Sequence, residues 1–306
     1  MVARVWVITG TNSGLGLAMA LHALKRGNKV IATVRSAKKF PDQLKEAGAY
    51  MLVLDLYDSD DKLRKAAEAA LQVYGHVDVL VNNAGTNYVG YGPVEETSLA
   101  EVRQQFQLHI FGALAFTQPF LAHMRERRAG HVVLVSSVAT GFTPPSWGAY
   151  SASKAALEMY AETLARELAL FDVRAWCIIP GHFPTRFFVG HPLYTPDGGP
   201  PPASRRTTAY ADPSQGLDSI NHIPRAYTEN GWVGDPDRLA ARVYELVTGT
   251  GFAARVVEKA GADCTRIACG TDAGTMLMRG YESLLRTTKL TEPVWKSTDV
   301  SAPSVV

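Results

Sequence analysis

The chain has 306 residues, 46% hydrophobic, 20% charged and 9% aromatic, a composition that buries a sizeable core, excludes disorder of the whole chain and, at about 150 residues per domain, admits either one domain or two. Its 31 basic and 29 acidic residues leave a formal charge of +2, which offers no electrostatic excess to nucleic acid or an anionic membrane surface. No apolar run nears the ~18 residues that span a bilayer, and the first predicted strand starts almost at Met1 with no room for a signal peptide, so a cytoplasmic, soluble protein is expected.

Short apolar, β-branched runs alternate with longer helix-periodic segments, the signature of βαβ units and a parallel sheet. Val5–Ile8 reads as strand 1, Leu15–Lys25 as the following helix, Lys29–Val34 as strand 2 and Tyr50–Asp55 as strand 3. A helix over Ser59–Tyr74 leads to strand 4 at Val77–Val81. The segment Ser98–Arg128 reads as one unusually long helix, kinked or split by Pro119. Strand 5 at His131–Ser136, a helix over Tyr150–Leu170 and strand 6 at Val173–Ile179 follow. Strands this continuously apolar imply a sheet covered on both faces.

The pattern then breaks: ten of the 17 prolines fall from Pro180 through Pro236, which points to a loop acting as a lid or left disordered. Order resumes with a helix opened by Asp235-Pro236, an N-cap followed by proline in the first turn, and running to about Val247. Phe252–Glu258 and Arg266–Ala268 are short strand candidates, Ala273–Arg286 a helix, and the last residues a polar tail. Cys177, Cys264 and Cys269 are odd in number and lack metal-ligand spacing, so they read as free thiols and no metal is expected.

Gly10, Asn12, Ser13, Gly14, Leu15 and Gly16 lie in a glycine-rich turn between strand 1 and its helix, where the backbone can approach a pyrophosphate favoured by the helix N-terminus. The G-x-x-x-G-x-G spacing resembles the glycine motif of the short-chain dehydrogenase/reductase family. Four further stations match that family in order: Asp55-Leu56, Asn82-Asn83-Ala84-Gly85, Tyr150 with Lys154, and Pro180-Gly181-His182-Phe183-Pro184-Thr185. The resemblance implies that Asp55 and Leu56 lie beside an adenine, that Asn82, Asn83, Ala84 and Gly85 border the cofactor and steady the sheet, and that Pro180, Gly181, Phe183 and Thr185 lie against the nicotinamide half. It implies an α/β fold with a Rossmann-type doubly wound parallel sheet: one dinucleotide-binding and catalytic domain over 1–286, a substrate lid at 185–235 and a tail at 287–306. Gly270-Thr271-Asp272-Ala273 and Trp295–Asp299 look like the C-terminal part of a hydroxysteroid or retinol dehydrogenase branch.

Tyr150 and Lys154 stand four residues apart and project from one helix face. A phenol with a pKa near 10 is a poor base at neutral pH, but a nearby cation favours the phenolate, so Lys154 is expected to lower Tyr150. By resemblance, Ser137, thirteen residues before Tyr150, holds the substrate oxygen while Tyr150 passes a proton and Tyr150 and Lys154 also border the cofactor. Ser136 points the other way and is the weaker candidate. The family carries an asparagine where this chain has His109. Three readings stay open: an imidazole that keeps the proton relay and titrates near working pH, an altered relay with slow or different chemistry, and a buried histidine satisfied by the backbone.

Strand 2 ends Thr33-Val34-Arg35-Ser36 without a carboxylate, followed by Lys38 and Lys39. A guanidinium there suits a ribose 2′-phosphate, so the expected cofactor is NADP(H). Phe142, Trp147, Phe187 and Phe188, with Ser137, are the expected substrate residues, and Tyr88, Phe183, Leu193 and Tyr194 lie on the same rim. They suit a hydrophobic alcohol, ketone or aldehyde, ring-containing ones included. A redox-silent dinucleotide-binding regulator and a non-redox isomerase, dehydratase or cyclase on the same scaffold are the alternatives that His109 leaves open. A homodimer or homotetramer, paired through the helices of Ser98–Arg128 and Tyr150–Leu170, is what the resemblance implies.

Overall fold

The structure, a computed structural model, describes residues 2–87, 91–187, 233–261 and 264–299. Seven strands form one parallel sheet in the order β3-β2-β1-β4-β5-β6-β7. They are β1 (Val5–Ile8), β2 (Lys29–Val34), β3 (Tyr50–Val53), β4 (Val79–Asn82), β5 (Gly130–Val135), β6 (Val173–Pro180) and β7 (Arg266–Cys269). The helices are α1 (Gly14–Lys25), α2 (Asp42–Glu46), α3 (Asp60–Tyr74), α4 (Leu99–Phe106), α5 (Gly112–Arg127), α6 (Ala139–Phe142), α7 (Gly148–Ala169), α8 (Pro236–Thr248), α9 (Gly251–Ala260), α10 (Thr271–Leu290) and α11 (Glu292–Lys296).

Alternate strand residues feed two cores, as the two-residue side-chain period requires. Val5 and Val7 of β1 join Leu63, Phe116, Phe120 and Leu157 from α3, α5 and α7 on one face. Trp6 and Ile8 join Met19, Leu44, Val243 and Leu246 from α1, α2 and α8 on the other. Trp6 stacks on Tyr244 of α8 with ring centroids 5.9 Å apart, and Phe116 meets Phe120 edge to face at 5.1 Å. Truncating either buried phenylalanine to alanine is worth roughly 3–5 kcal/mol. The strand order reverses between β1 and β4, and that switch point opens a crevice at the carboxyl ends of the strands.

Three expectations are corrected. Pro119 lies inside α5 and does not split it; the long helical segment is interrupted instead by a π turn at Gln107–Phe111. Gly112 follows it directly, and there α5 seats against the Leu56 backbone so closely that a Cβ would collide with the Leu56 carbonyl oxygen. Phe252–Glu258 forms part of helix α9 and not a strand. Ala253 and Val257, four residues apart, both face the α8 core, and Glu245 accepts the Ala253 N–H at 2.8 Å at the helix start, so the helical period wins over the β-branched composition. The helix expected over Ala273–Arg286 runs on to Leu290 as α10, and the start of the expected polar tail forms the end of that helix and α11, tied back by a Trp295 Nε1–H donated to the Thr288 carbonyl at 3.1 Å. Most of the expected lid at 185–235 lies outside the described residues. Among the described residues no helix is long and apolar enough to cross a membrane, no cluster of metal-ligating side chains occurs, and the three cysteines are free.

Candidate active site

The crevice begins at the turn after β1. Gly10 has φ +70° and its absent Cβ lets the Ala84 backbone approach, since a Cβ would sit 2.9 Å from Ala84 Cα. Gly14 has φ +60°, and a Cβ there would lie 3.2 Å from the Thr185 Cβ, so the loop after β6 comes over the glycine turn. Ser13 is the N-cap of α1, and the first turn of that helix carries no acidic residue. Gly10, Asn12, Ser13, Gly14 and Leu15 line this end. Their turn, backed by unpaired helix N–H groups and free of carboxylates, fits a pyrophosphate.

Thr9 fixes the neighbouring wall. Its hydroxyl accepts the Asn83 and Ala84 N–H groups, each at 3.0 Å, and the Asn83 amide donates to the Thr9 and Gly10 carbonyls at 2.9 and 3.2 Å. The end of β4 is thereby stapled to the end of β1, with Asn83, Ala84 and Gly85 facing the crevice. Arg35, Leu54 and Leu56 line the adjoining side of the crevice.

Three expected cofactor contacts are not crevice-lining. Gly16 is buried under the turn, where a Cβ would collide with the Gly10 carbonyl. Asn82 donates to the Thr117 hydroxyl at 2.8 Å, holding α5 to the sheet. Asp55 accepts the Tyr57 N–H at 3.1 Å. Lys38 and Lys39 are also absent from the lining, so Arg35 alone represents that basic cluster there.

At the other end Ser137, Tyr150 and Lys154 converge with Pro180, Gly181, Phe183 and Thr185. Tyr150 and Lys154 are one turn apart near the start of α7, and both are buried. Lys154 Nζ lies 5.9 Å from the centre of the Tyr150 ring and donates to the Val135 carbonyl at 2.7 Å. The expected lowering of Tyr150 by Lys154 is overturned: burial pushes the phenol up to about 12, opposed by its hydrogen bond with Ser137. Burial also lowers Lys154 to about 8. Desolvation penalises whichever form is charged, the phenolate for one and the ammonium for the other.

His109 is buried in the π turn. Its Nε2 accepts the Thr86 N–H at 3.3 Å and its Nδ1 lies 2.8 Å from the Ser153 hydroxyl. Burial, with Lys154 adding to it, drives its pKa well below the ordinary imidazole value, so it does not titrate near neutral pH as one reading expected. Its edge meets the Tyr150 ring at 5.5 Å.

Phe142, Trp147 and Phe187 line the crevice beside Ser137 as expected. Trp147 meets Tyr150 at 5.3 Å, edge to face, and Phe187 lies 5.8 Å from Tyr150. Phe188, Tyr88, Leu193 and Tyr194 lie outside the described residues. Thr33, Thr86, Leu108, Val135, His182 and Arg186, to which the sequence assigns no site role, also line the crevice. Most sit at carboxyl ends of strands, where position alone could have found them. The pairing of His182 has no such signal: its N–H and Nδ1 meet Asp272 Oδ2 at 2.7 and 2.8 Å, across 90 residues of chain. Gly181 and Gly270 make room for that carboxylate, since a Cβ on either would strike it.

Residues 4–191 match a family model described as short chain dehydrogenase. A curated relative named uncharacterized oxidoreductase YusZ, from Bacillus subtilis, is 32% identical over 257 residues, covering 81% of this chain and 86% of the relative. Among solved structures, a short-chain dehydrogenase from Streptomyces avermitilis is 33% identical, with a TM-score of 0.77 over 98% of this chain and 99% of that one. A short chain dehydrogenase/reductase from Burkholderia phymatum in complex with NAD shares the fold at 24% identity, with a TM-score of 0.67 over 99% of this chain and 98% of that one.

Proposed function

The chain belongs to the short-chain dehydrogenase family and is an oxidoreductase of that type, and from that premise we propose that it reduces a hydrophobic ketone or aldehyde with NADPH, or runs the reverse oxidation. The observation that carries this reading is the convergence of Ser137, Tyr150 and Lys154 on one crevice whose far end is the glycine turn and Arg35. A bound nicotinamide supplies the hydride.

The chain's own groups do the rest. Ser137 orients the substrate oxygen by a hydrogen bond. Tyr150, kept protonated at neutral pH by burial, is poised as a general acid that gives its hydroxyl proton to that oxygen as it gains negative charge. Lys154 offers a positive charge beside the phenol, which stabilises the phenolate left behind. Trp147, Phe142 and Phe187 exclude water and offer apolar surface to the substrate, which favours a ring-containing compound.

Arg35 supports NADP(H) over NAD(H): its guanidinium suits the 2′-phosphate, and β2 ends without the carboxylate that would accept a ribose 2′-hydroxyl. His109 holds Thr86 and the Ser153–Tyr150 turn in place as a neutral imidazole. Assembly as a homodimer or homotetramer in the cytoplasm completes the reading; α7 carries exposed Met159 and Tyr160, suited to such pairing.

The test follows nicotinamide absorbance with NADPH and with NADH against a panel of hydrophobic ketones and aldehydes, for the natural chain and Tyr150→Phe. Turnover is expected with NADPH, falling roughly 100-fold or more in Tyr150→Phe while cofactor binding persists. Near-native turnover in that variant sinks the assignment. Tight NADPH binding without consumption favours a redox-silent regulator, or, if a substrate is transformed without net oxidation, an isomerase, dehydratase or cyclase.

A further inference from the structure

Behind Lys154 lies a buried carboxylate that the proposed chemistry does not use. Glu158 is one turn along α7 from Lys154 and only 3% exposed. Its Oε1 accepts the Ser136 hydroxyl at 2.6 Å and the Thr140 hydroxyl at 2.8 Å. Those partners flank Ser137: Ser136 precedes it, and Thr140 Oγ1 lies 2.9 Å from the Ser137 carbonyl oxygen. Ser136 Oγ is also 3.3 Å from the Lys154 carbonyl oxygen. From β7, Arg266 places Nη1 3.6 Å from Glu158 Oε2 and Nε 2.6 Å from Glu162 Oε1.

A charge buried this deeply is costly unless hydrogen-bonded and paired, and Glu158 has both. We propose that Glu158 is a positioning residue that locks the Ser137 turn and the Lys154 turn of α7 into one register and faces the Lys154 ammonium with a negative charge. The roles of Ser137 and Lys154 are those of the proposed reductase.

The groups around Lys154 make the charge argument specific. His109 from the π turn is neutral, because burial and Lys154 hold its pKa well down. Cys177 from β6 is a thiol at neutral pH, because burial pushes it far up. Tyr150 is protonated. Cys177 and Glu158 are the two groups whose negative charge would raise Lys154, and at neutral pH that leaves Glu158, itself balanced by Arg266.

The test uses the full chain carrying lysine labelled with carbon-13 at Cε, in which Lys154 is assigned from Lys154→Arg and titrated by NMR, alongside kcat and KM against pH. In Glu158→Gln, an amide oxygen still accepts from the two hydroxyls but the charge is gone. The expected result is a Lys154 midpoint lowered by about one pH unit, a matching downward move of the alkaline limit of reduction, and a fall in kcat with little change in KM. An unmoved midpoint with an unmoved pH profile overturns the electrostatic half. Thr140→Val removes one hydroxyl and no charge, and serves where Glu158→Gln does not fold. It is expected to lower kcat about tenfold with the midpoint in place, and full kcat overturns the positioning half. Should the natural chain reduce no carbonyl, the reductase reading fails, yet the Lys154 midpoint in Glu158→Gln still reads the inference.

Discussion

His109 Nδ1 and the Ser153 hydroxyl lie 2.8 Å apart, and that hydroxyl donates to the Tyr150 carbonyl at 2.7 Å. With Nε2 accepting the Thr86 N–H, the imidazole carries its proton on Nδ1 and donates it to Ser153 Oγ. The neutral ring thus spans from the loop after β4 to the turn that presents Tyr150.

This role requires a donor and an acceptor but no titration. His109→Asn is expected to keep turnover within about threefold and to leave the pH profile between about 5.5 and 7.5 unchanged. His109→Phe removes the acceptor of the Thr86 N–H and the Ser153 contact, and is expected to lose about 1–3 kcal/mol of stability in urea unfolding. A pH profile that shifts in His109→Asn would show that the imidazole titrates during turnover.

Tyr150 and Lys154 give the reductive reaction a one-sided pH dependence. Tyr150, raised to about 12 by burial, remains a proton donor throughout the neutral range. Lys154, lowered to about 8 by burial, is charged below that pH and neutral above it. Reduction is therefore expected to be flat from about pH 6 to 7 and to fall as pH rises through the Lys154 value. Because the Ser137 hydrogen bond lowers Tyr150, Ser137→Ala is expected to push the phenol higher, a change that ultraviolet difference titration against Tyr150→Phe reads directly. A phenol that titrates lower in Ser137→Ala would contradict this.

Arg35 is exposed and lines the crevice beside Leu54. A charge-assisted contact to a phosphate is worth about 1.5 kcal/mol at the lower end, so Arg35→Asp is expected to weaken NADPH about tenfold in Kd. NADH should change little or bind better, since the new carboxylate can accept from a ribose hydroxyl. Equal weakening of the two cofactors in fluorescence titration would remove Arg35 from phosphate recognition.

The sheet and its crevice were legible because their signals are local. Each strand is a run of apolar β-branched residues, and the glycine turn, Asn83, Tyr150 and Lys154 sit in short motifs at strand ends. What escaped depends on contacts distant in sequence. Nothing near residue 107 announces the π turn, or the close approach of Gly112 to Leu56 that follows it. The Phe252–Glu258 segment has strand-like composition, yet Glu245 and the α8 core make it a helix. The direction of the Tyr150 shift escapes the sequence because chain spacing shows the neighbouring Lys154 cation, while burial, the largest influence on the phenol, is set by the fold.

His182 and Asp272 show how one such distant contact bears on stability. Burial would raise the Asp272 carboxyl, but its hydrogen bonds from the His182 side chain and backbone outweigh that and hold it below its ordinary value. A carboxyl with a depressed folded pKa contributes stability that is fully present above its unfolded value, about 3.9, and is lost as pH falls through the folded one. The pair joins the loop after β6 to the start of α10. Asp272→Asn is therefore expected to lower the urea midpoint clearly at pH 7, and the gap to the natural chain should narrow as pH falls below about 4. Asp272→Asn keeps one acceptor for the His182 N–H, so its loss at pH 7 isolates the charge from the backbone bond. A gap that stays constant from pH 7 to pH 3 would mean that the carboxylate charge contributes nothing and that the contact is packing alone.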